Sequence, residues 1–304
     1  MTAVTAASAV VPTLGRSPWL VPCLEALRRD GGPDLQVVVV DQGGTDLPAG
    51  LADLVLRPGR NLGFAAGTNL GIAAAAGGLV AAVNDDVLVE PGWLAALTSA
   101  LDADPGAAAA QGANLLLDDP RLADGCGLVW NRWWQAVQIG HGRPAPDAAA
   151  PVREVFGVSA TAALYRRSAL EAVALAGEVF DPRFGSYYED VDLAVRLRAA
   201  GWRSLAVPAA RARHAGSVTG STLGRERWSR VYGNRYLAAA GLLGGSFWPR
   251  LPWMAVRDLI DLGKAVLALD GSRAAGIAAG WGRAVRHLPG FARRGAPAEI
   301  DRFR

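Results

Sequence analysis

Val37, Val38, Val39 and Val40 follow one another without a polar break, and the run stops at Asp41 and the turn-forming stretch Gln42, Gly43, Gly44, Thr45, Asp46. β-Branched side chains are stiff about χ1 and pack well on a pleated surface. A strand that lacks polar alternation must be covered on both faces, which happens when helices flank a mostly parallel sheet. This one run therefore argues for a layered α/β fold, and its neighbours agree. Predicted strands at 6–11, 54–56 and 79–83 alternate with a predicted helix at 19–29, closed by Gly31, Gly32 and Pro33, and with an alanine-rich helix after Asn69. Farther along, helices are expected at 91–103 and at 190–200, the latter ending on Gly201, with strands at 111–117, 155–165 and 204–207.

A sheet of this kind opens at the carboxyl ends of its strands onto a ligand crevice. Asp41 stands at one such end, and Asn84, Asp85 and Asp86 stand at another, directly after the apolar run 79–83. Acids at a strand end suit a metal that holds phosphates. About a hundred residues later Glu189, Asp190 and Asp192 follow the aromatic pair Tyr187 and Tyr188 and open a helical pattern. There a carboxylate can be partly desolvated and aimed at a substrate. Each cluster also has a plain structural explanation. Asn84 to Asp86 alone would form an Asx turn. The later acids would favour a helix first turn, which is enough to account for Asp192.

With 304 residues, 51% of them hydrophobic, the chain can build one large α/β domain, or a domain of about 200 residues with an appendage. Formal charge is +3 and Lys264 is the single lysine. Arginine forks suit phosphates and anionic headgroups, but no basic run is dense enough to expect nucleic acid as a partner. Cys23 and Cys126 are the only cysteines and fit neither a disulfide scaffold nor a zinc site, so a reducing cytoplasm is expected. Residues 1–4 lack the basic start of a signal peptide. The uncharged stretch 64–83 is near bilayer length, but Thr68, Asn69 and several glycines interrupt it, and it is read as helix, turn and strand. The irregular stretch 118–151 carries Trp130, Trp133 and Trp134, which either stack on a sugar ring or hold the loop down. Beyond residue 220 the texture changes: 225–235 is arginine-rich, 236–248 is apolar and uncharged, and 253–286 carries one helical periodicity with arginines interleaved. These either cap the main domain or lie on a membrane surface.

Five segments, VVVVDQGGTD, RNLGFAAGTNLGI, AAVNDDVLVEPGWL, FDPRFGSYYEDVDLAVRLRAAGW and ARARHAGS, resemble family 2 glycosyltransferases in order and spacing, most closely the rhamnosyltransferase-like branch that builds bacterial cell-surface polysaccharides. The resemblance implies a GT-A fold over residues 1–220 and a C-terminal helical extension over 221–304. It further implies inverting transfer of a hexose, such as rhamnose, from a nucleotide-diphosphate sugar to a saccharide or polyprenyl-linked acceptor. Mn²⁺ or Mg²⁺ would be the cofactor, and the place of action the cytoplasm or the inner face of the cell membrane, with peripheral membrane contact. In this resemblance Asp86 and His214 match metal ligands. Asp190 matches the catalytic base, and Glu189 beside it an acceptor-hydroxyl ligand or orienter. Asp41 matches the acid that contacts the nucleotide base, and Thr13 and Arg16 resemble nucleotide-side contacts. Arg60, Asn61 and Asn69 occupy the segment beside ribose and diphosphate. Asn84 departs from the strict first aspartate of the D-x-D pattern and, with Asp85, is left as a nucleotide-sugar contact. Such chemistry is self-consistent: a departing diphosphate gathers charge that a metal can stabilise, and an attacking hydroxyl needs a base. Other classes remain open, namely a non-catalytic sugar-nucleotide or glycan-binding module, a two-carboxylate glycosidase, or a membrane-recruited scaffold.

Overall fold

The computed structural model describes residues 7–216, 224–291 and 300–303. The expectations on residues 1–4, on Ala6 as the first strand residue, and on Ser217, 221–223 and 292–299 thus lie outside the described residues.

The valine run is strand β2 (Leu35–Asp41), and it is covered on both faces as its composition requires. Val37 and Val39 enter one apolar layer, with Leu24 and Leu27 of helix α1 (Leu20–Gly31). Val38 and Val40 enter the other, with Ile72 of helix α2 (Phe64–Ala74). Strand β1 (Ala7–Thr13) pairs in parallel with β2 on one side and with β4 (Leu79–Val83) on the other, and β2 continues to β3 (Leu54–Leu56). Chain order therefore reverses direction across the sheet at β1, which leaves a crevice between the ends of β1 and β4.

Beyond β4 the chain forms β5 (Val87–Val89), α3 (Trp93–Ala103), β6 (Ala107–Leu116), β7 (Ala123–Gly125) and the separate hairpin β8 (Leu128–Trp130) and β9 (Ala136–Gln138). Strands β10 (Arg153–Val155) and β11 (Ala162–Arg166), helices α4 (Arg167–Ala172) and α5 (Glu189–Ala199), and strand β12 (Arg203–His214) follow. Among the described residues ten strands make one mixed sheet whose main path runs β10, β12, β6, β11, β4, β1, β2, β3, with β5 on β12 and β7 on β6. Strand β11 is antiparallel to both its neighbours.

Several expected elements differ in extent; β6, for one, begins at Ala107 and not at 111. Where one strand was expected over 155–165, the backbone leaves the sheet after β10 and returns at β11. In the gap its N–H groups turn elsewhere: Ser159 donates to Gln111 Oε1 and Ala160 to Asp190 Oδ2. The strand expected at 204–207 runs on to His214 across an irregularity between Val207 and Arg211, where Pro208 has no N–H to give the ladder.

The C-terminal part is helical: α6 (Arg225–Leu243), α7 (Leu251–Leu267) and α8 (Gly271–His287). The last two were expected as a single periodic stretch. The break falls at Leu269, whose φ is 56°, and Asp270, whose side chain caps α8 by accepting from the Arg273 N–H at 2.9 Å. Helix α6 buries Leu237, Ala239 and Leu243 with Val191 and Val195 of α5 and with Trp130, Trp134 and Phe184 in one apolar cluster. Trp130 and Trp134 are core residues, so of the two readings of the tryptophan group they take the bland one.

Candidate active site

Thr13 closes β1 and Asp85 follows β4, and their side chains meet across the crevice, Thr13 Oγ1 donating to Asp85 Oδ2 at 2.5 Å. Burial, with Asp86 beside it, pushes the Asp85 carboxyl up to about 6 against the opposing Thr13 hydrogen bond. A cavity of about 1100 Å³ opens here, lined among others by Asn84, Asp85 and Asp86 at the strand ends and by Glu189 and Asp190 at the start of α5. That volume suits a ligand of several rings.

Strand β5 runs antiparallel to β12 with Val87 opposite His214, which sets His214 beside Asp86. His214 Nε2 and Asp86 Oδ1 are 3.2 Å apart. Both atoms are buried and neither makes an aligned hydrogen bond, so the chemistry of the pair suits two ligands of a shared cation. Behind them, His214 Nδ1 lies 2.9 Å from Asp124 Oδ2 on β7. Burial alone would lower the imidazole pKa, but the Asp124 and Asp86 carboxylates push it up to about 10. The Asp124 carboxyl itself, which burial would raise, is brought below its usual range by His214 and His141. An acid that fixes the far nitrogen of a histidine is the common outer-shell partner of a metal-bound imidazole. Among the described residues no three His, Cys, Asp or Glu side chains converge to hold an ion alone. A cation at Asp86 and His214 would thus leave most of its coordination to a ligand such as a diphosphate, and the residues fit that arrangement.

On the facing wall Asp190 accepts the Ala160 N–H at 3.2 Å and the Val191 N–H at 2.8 Å. Burial raises its carboxyl, and the Ala160 and Ser159 hydrogen bonds partly offset that. Glu189 is buried too, its Oε2 has no partner, and burial together with the Asp190 charge lifts its carboxyl far above the ordinary range. Hydrogen-bond donors favour the charged form, and Asp190 has them while Glu189 Oε2 has none, so the Glu189 carboxyl is the more strongly raised of the pair. Tyr187 and Tyr188, immediately before them, both have positive φ, 68° and 71°. Two adjacent non-glycine residues in that region hold strain of order 1–3 kcal/mol each, which surrounding contacts must sustain. The contacts come from α6: Asn234 Nδ2 donates to the carbonyls of Phe184, Ser186 and Tyr187.

The other expected site residues divide. Asn61 lines the cavity, its side chain accepting from the Gly63 N–H at 2.8 Å. Asp41 is buried outside the lining and accepts from the N–H groups of Gly43, Gly44 and Thr45 and from Arg57. Burial would raise its carboxyl, yet these donors bring it below the usual range. The next residue, Gln42, lines the cavity. Asn69 is buried in α2 and grips the Phe180 backbone at both N–H and carbonyl, at 2.8 and 2.7 Å. Arg16 and Arg60 are exposed on loops outside the lining.

Sequence reasoning passed over Asp124, the 159–161 segment, and the wall supplied by Arg227, Trp228, Arg230 and Arg273 of α6 and α8. Asp124 lies in the stretch read as irregular, and only the β6–β7 pairing carries it to His214. The arginines were visible as a composition shift alone.

A family model described as glycosyl transferase family 2 matches residues 8–174. No curated protein matches the chain. Among solved structures, GalNAc-T7 with UDP, GalNAc and Mn²⁺ is similar at 14% identity and a TM-score of 0.57, over 79% of this chain and 51% of that one. The mannosyltransferase PcManGT from Pyrobaculum calidifontis, in complex with GDP-Man and Mn²⁺, is similar at 19% identity and a TM-score of 0.57, over 92% of this chain and 86% of that one. S. aureus TarS is similar at 17% identity and a TM-score of 0.52, over 77% of this chain and 39% of its own. The chain thus spans about half of GalNAc-T7 and less of TarS. At these identities the likeness is one of fold.

Proposed function

The chain belongs to glycosyl transferase family 2 and has the GT-A fold, and from that premise we propose that it moves a hexose, rhamnose being the first to try, from a nucleotide-diphosphate sugar to a saccharide or polyprenyl-linked acceptor with inversion. One observation carries this reading: the Asp86 and His214 pair and the Glu189 and Asp190 pair line the same cavity at the switch point of the sheet. The domain of residues 1–220 would supply the donor side, and the extension 221–304 the wall toward the acceptor.

Thr13, Asn61, Asn84 and Asp85 line the crevice and would contact the nucleotide sugar. Asp41 would act through the turn it holds, presenting Gln42. Asn69 would act by fixing the Phe180 backbone, and Arg16 and Arg60 would take part only if their loops fold over the bound nucleotide. Asp86 and His214 would hold Mn²⁺ or Mg²⁺, with Asp124 orienting the imidazole; bound there, the ion would offset charge on the departing diphosphate. Asp190, the anion of its pair, takes the proton of the acceptor hydroxyl as that oxygen attacks the anomeric carbon from the side opposite the diphosphate. Glu189, which keeps its proton, hydrogen-bonds the acceptor beside it. The proposed setting is the cytoplasm or the inner face of the cell membrane, in the synthesis of cell-surface polysaccharide.

A thermal-shift panel of nucleotide sugars with and without Mn²⁺ tests the donor side. One nucleotide diphosphate sugar should raise the melting temperature more with the ion than without it. If none does, and no donor is hydrolysed on long incubation, the proposal fails.

A further inference from the structure

Helix α7 is turned inside out. Its two acids, Asp258 and Asp261, are 0% and 3% exposed, while Trp253, Val256, Leu259, Ile260, Val266 and Leu267 stand in solvent at 42% exposure or more. Positions 253, 256, 259, 260, 266 and 267 follow the three-and-four spacing of one helical face, so the exposed side chains form a continuous stripe. The stripe cannot roll inward, because the buried face is fixed by polar contacts. Asp258 meets Arg235 Nη1 at 2.8 Å, the Tyr236 hydroxyl at 2.6 Å and Trp281 Nε1 at 2.8 Å. Asp261 accepts from the Tyr232 hydroxyl at 3.1 Å and pairs with Arg257 at 3.0 Å.

An apolar face of this extent on a soluble surface marks a docking site, and its charges indicate what docks. Every acid of the described stretch 250–290 points inward or, as with Asp270, into a helix cap, whereas Lys264 and Arg286 are exposed. A second copy of the chain would set cation against cation across a two-fold interface. An anionic lipid headgroup layer complements both the cations and the stripe, and an amphipathic helix with tryptophan at its border is the form that lies in such a layer. Trp253 stacks on Trp133 with ring centroids 4.3 Å apart, and its Nε1 donates to the Arg132 carbonyl. Those partners sit in the turn of the β8–β9 hairpin, whose Leu128 and Ala136 line the cavity.

We propose that the outer face of α7 docks on an anionic bilayer, which sets the catalytic cavity beside the lipid surface. This gives residues to the peripheral membrane contact expected from the sequence and does not depend on the transfer chemistry. Flotation of the full chain with phosphatidylglycerol and phosphatidylcholine vesicles, against phosphatidylcholine alone, tests it. The chain should float with the anionic vesicles, less so as salt rises. The pair L259S and L267S should weaken partitioning roughly hundredfold, about tenfold per residue, without lowering the melting temperature. K264E should weaken it several-fold. The shift caused by a nucleotide sugar should persist in both variants, so loss of docking is distinguishable from loss of the donor site. Absence of flotation, flotation unchanged in the double variant, or a dimer that the double variant dissociates while vesicles are ignored would each overturn the proposal.

Discussion

Asp190 receives two backbone N–H groups while Glu189, its neighbour in sequence and in the cavity, keeps one oxygen without a partner. The proposed roles, Asp190 as base and Glu189 as proton holder, rest on that difference in donors, and it separates the two amide variants. D190N should lower kcat by about 10²- to 10⁴-fold with donor affinity retained, measured by transfer assay and by donor titration. E189Q replaces a group that already carries a proton, so it should keep most of the activity at neutral pH. It also has a consequence for stability. The folded carboxyl of Glu189 lies above its unfolded value, so the native state holds a proton that the unfolded chain has released, and stability falls as pH climbs from the ordinary carboxylate range toward the raised value. The amide removes this loss. E189Q should therefore be more stable than the parent at pH 8 and gain little at pH 4, read from melting temperatures at both; equal gains would contradict the assignment. Asp124 gives a third case. D124N should weaken Mn²⁺-dependent donor binding by about 10- to 100-fold, seen as a right-shifted ion titration at fixed nucleotide sugar. Asp85, Asp86, Asp190 and His214 could be picked from the sequence because each belongs to an ordered segment. Asp124 could not, since nothing near it in the chain hints at the strand pairing that delivers it to His214.

The loop before α5 depends on contacts supplied by elements distant in the chain. Tyr187 and Tyr188 keep their left-handed backbones because Asn234 of α6 gathers three carbonyls of the loop, and Arg283 of α8 donates to the Asn234 side chain at 2.7 Å. N234A should cost about 2–4 kcal/mol, since it leaves several buried carbonyls and an arginine short of partners. It should also depress kcat more than donor affinity, because Asp190 follows the loop while Asp86 and His214 do not. Chemical denaturation and steady-state kinetics would check both parts. At this scale the sequence was informative where periodicity was strong. The valine run, α1 and α3 stand where their patterns put them. The segment 155–165 was misread as one strand because its apolar pattern continues through Val158 and Ala160, while its amides serve Asp190 and Gln111 instead of the sheet. Helices α7 and α8 merged in the reading because the three-residue break at 268–270 leaves the apolar spacing almost undisturbed.

For the molecule as a whole, the motif order made the sheet and its crevice legible, and the helical tail was legible only as a change of texture. What the tail does depends on long-range packing that composition does not encode. One apolar cluster joins Val191, Ala194 and Phe184 of the sheet domain to Leu237, Phe247 and Met254 of the tail, and Arg235 and Asp258 form an ion pair buried to 1% and 0% exposure beneath it. A buried pair is costly to break, because removing one partner strands the other; D258A should lose about 3–5 kcal/mol, provided the tail folds only as part of the whole. The same premise predicts a single calorimetric transition for the full chain, with its van't Hoff enthalpy equal to the calorimetric one. A chain ended at residue 220 would expose the sheet-domain half of the cluster and lose the Asn234 grip on the 183–188 loop. It should bind a hydrophobic dye, melt without cooperativity and carry out no transfer. Two well-separated transitions in the full chain, or a 220-residue fragment with full activity, would instead show that residues 1–220 and the tail are independent units and that the loop geometry is set within the sheet domain.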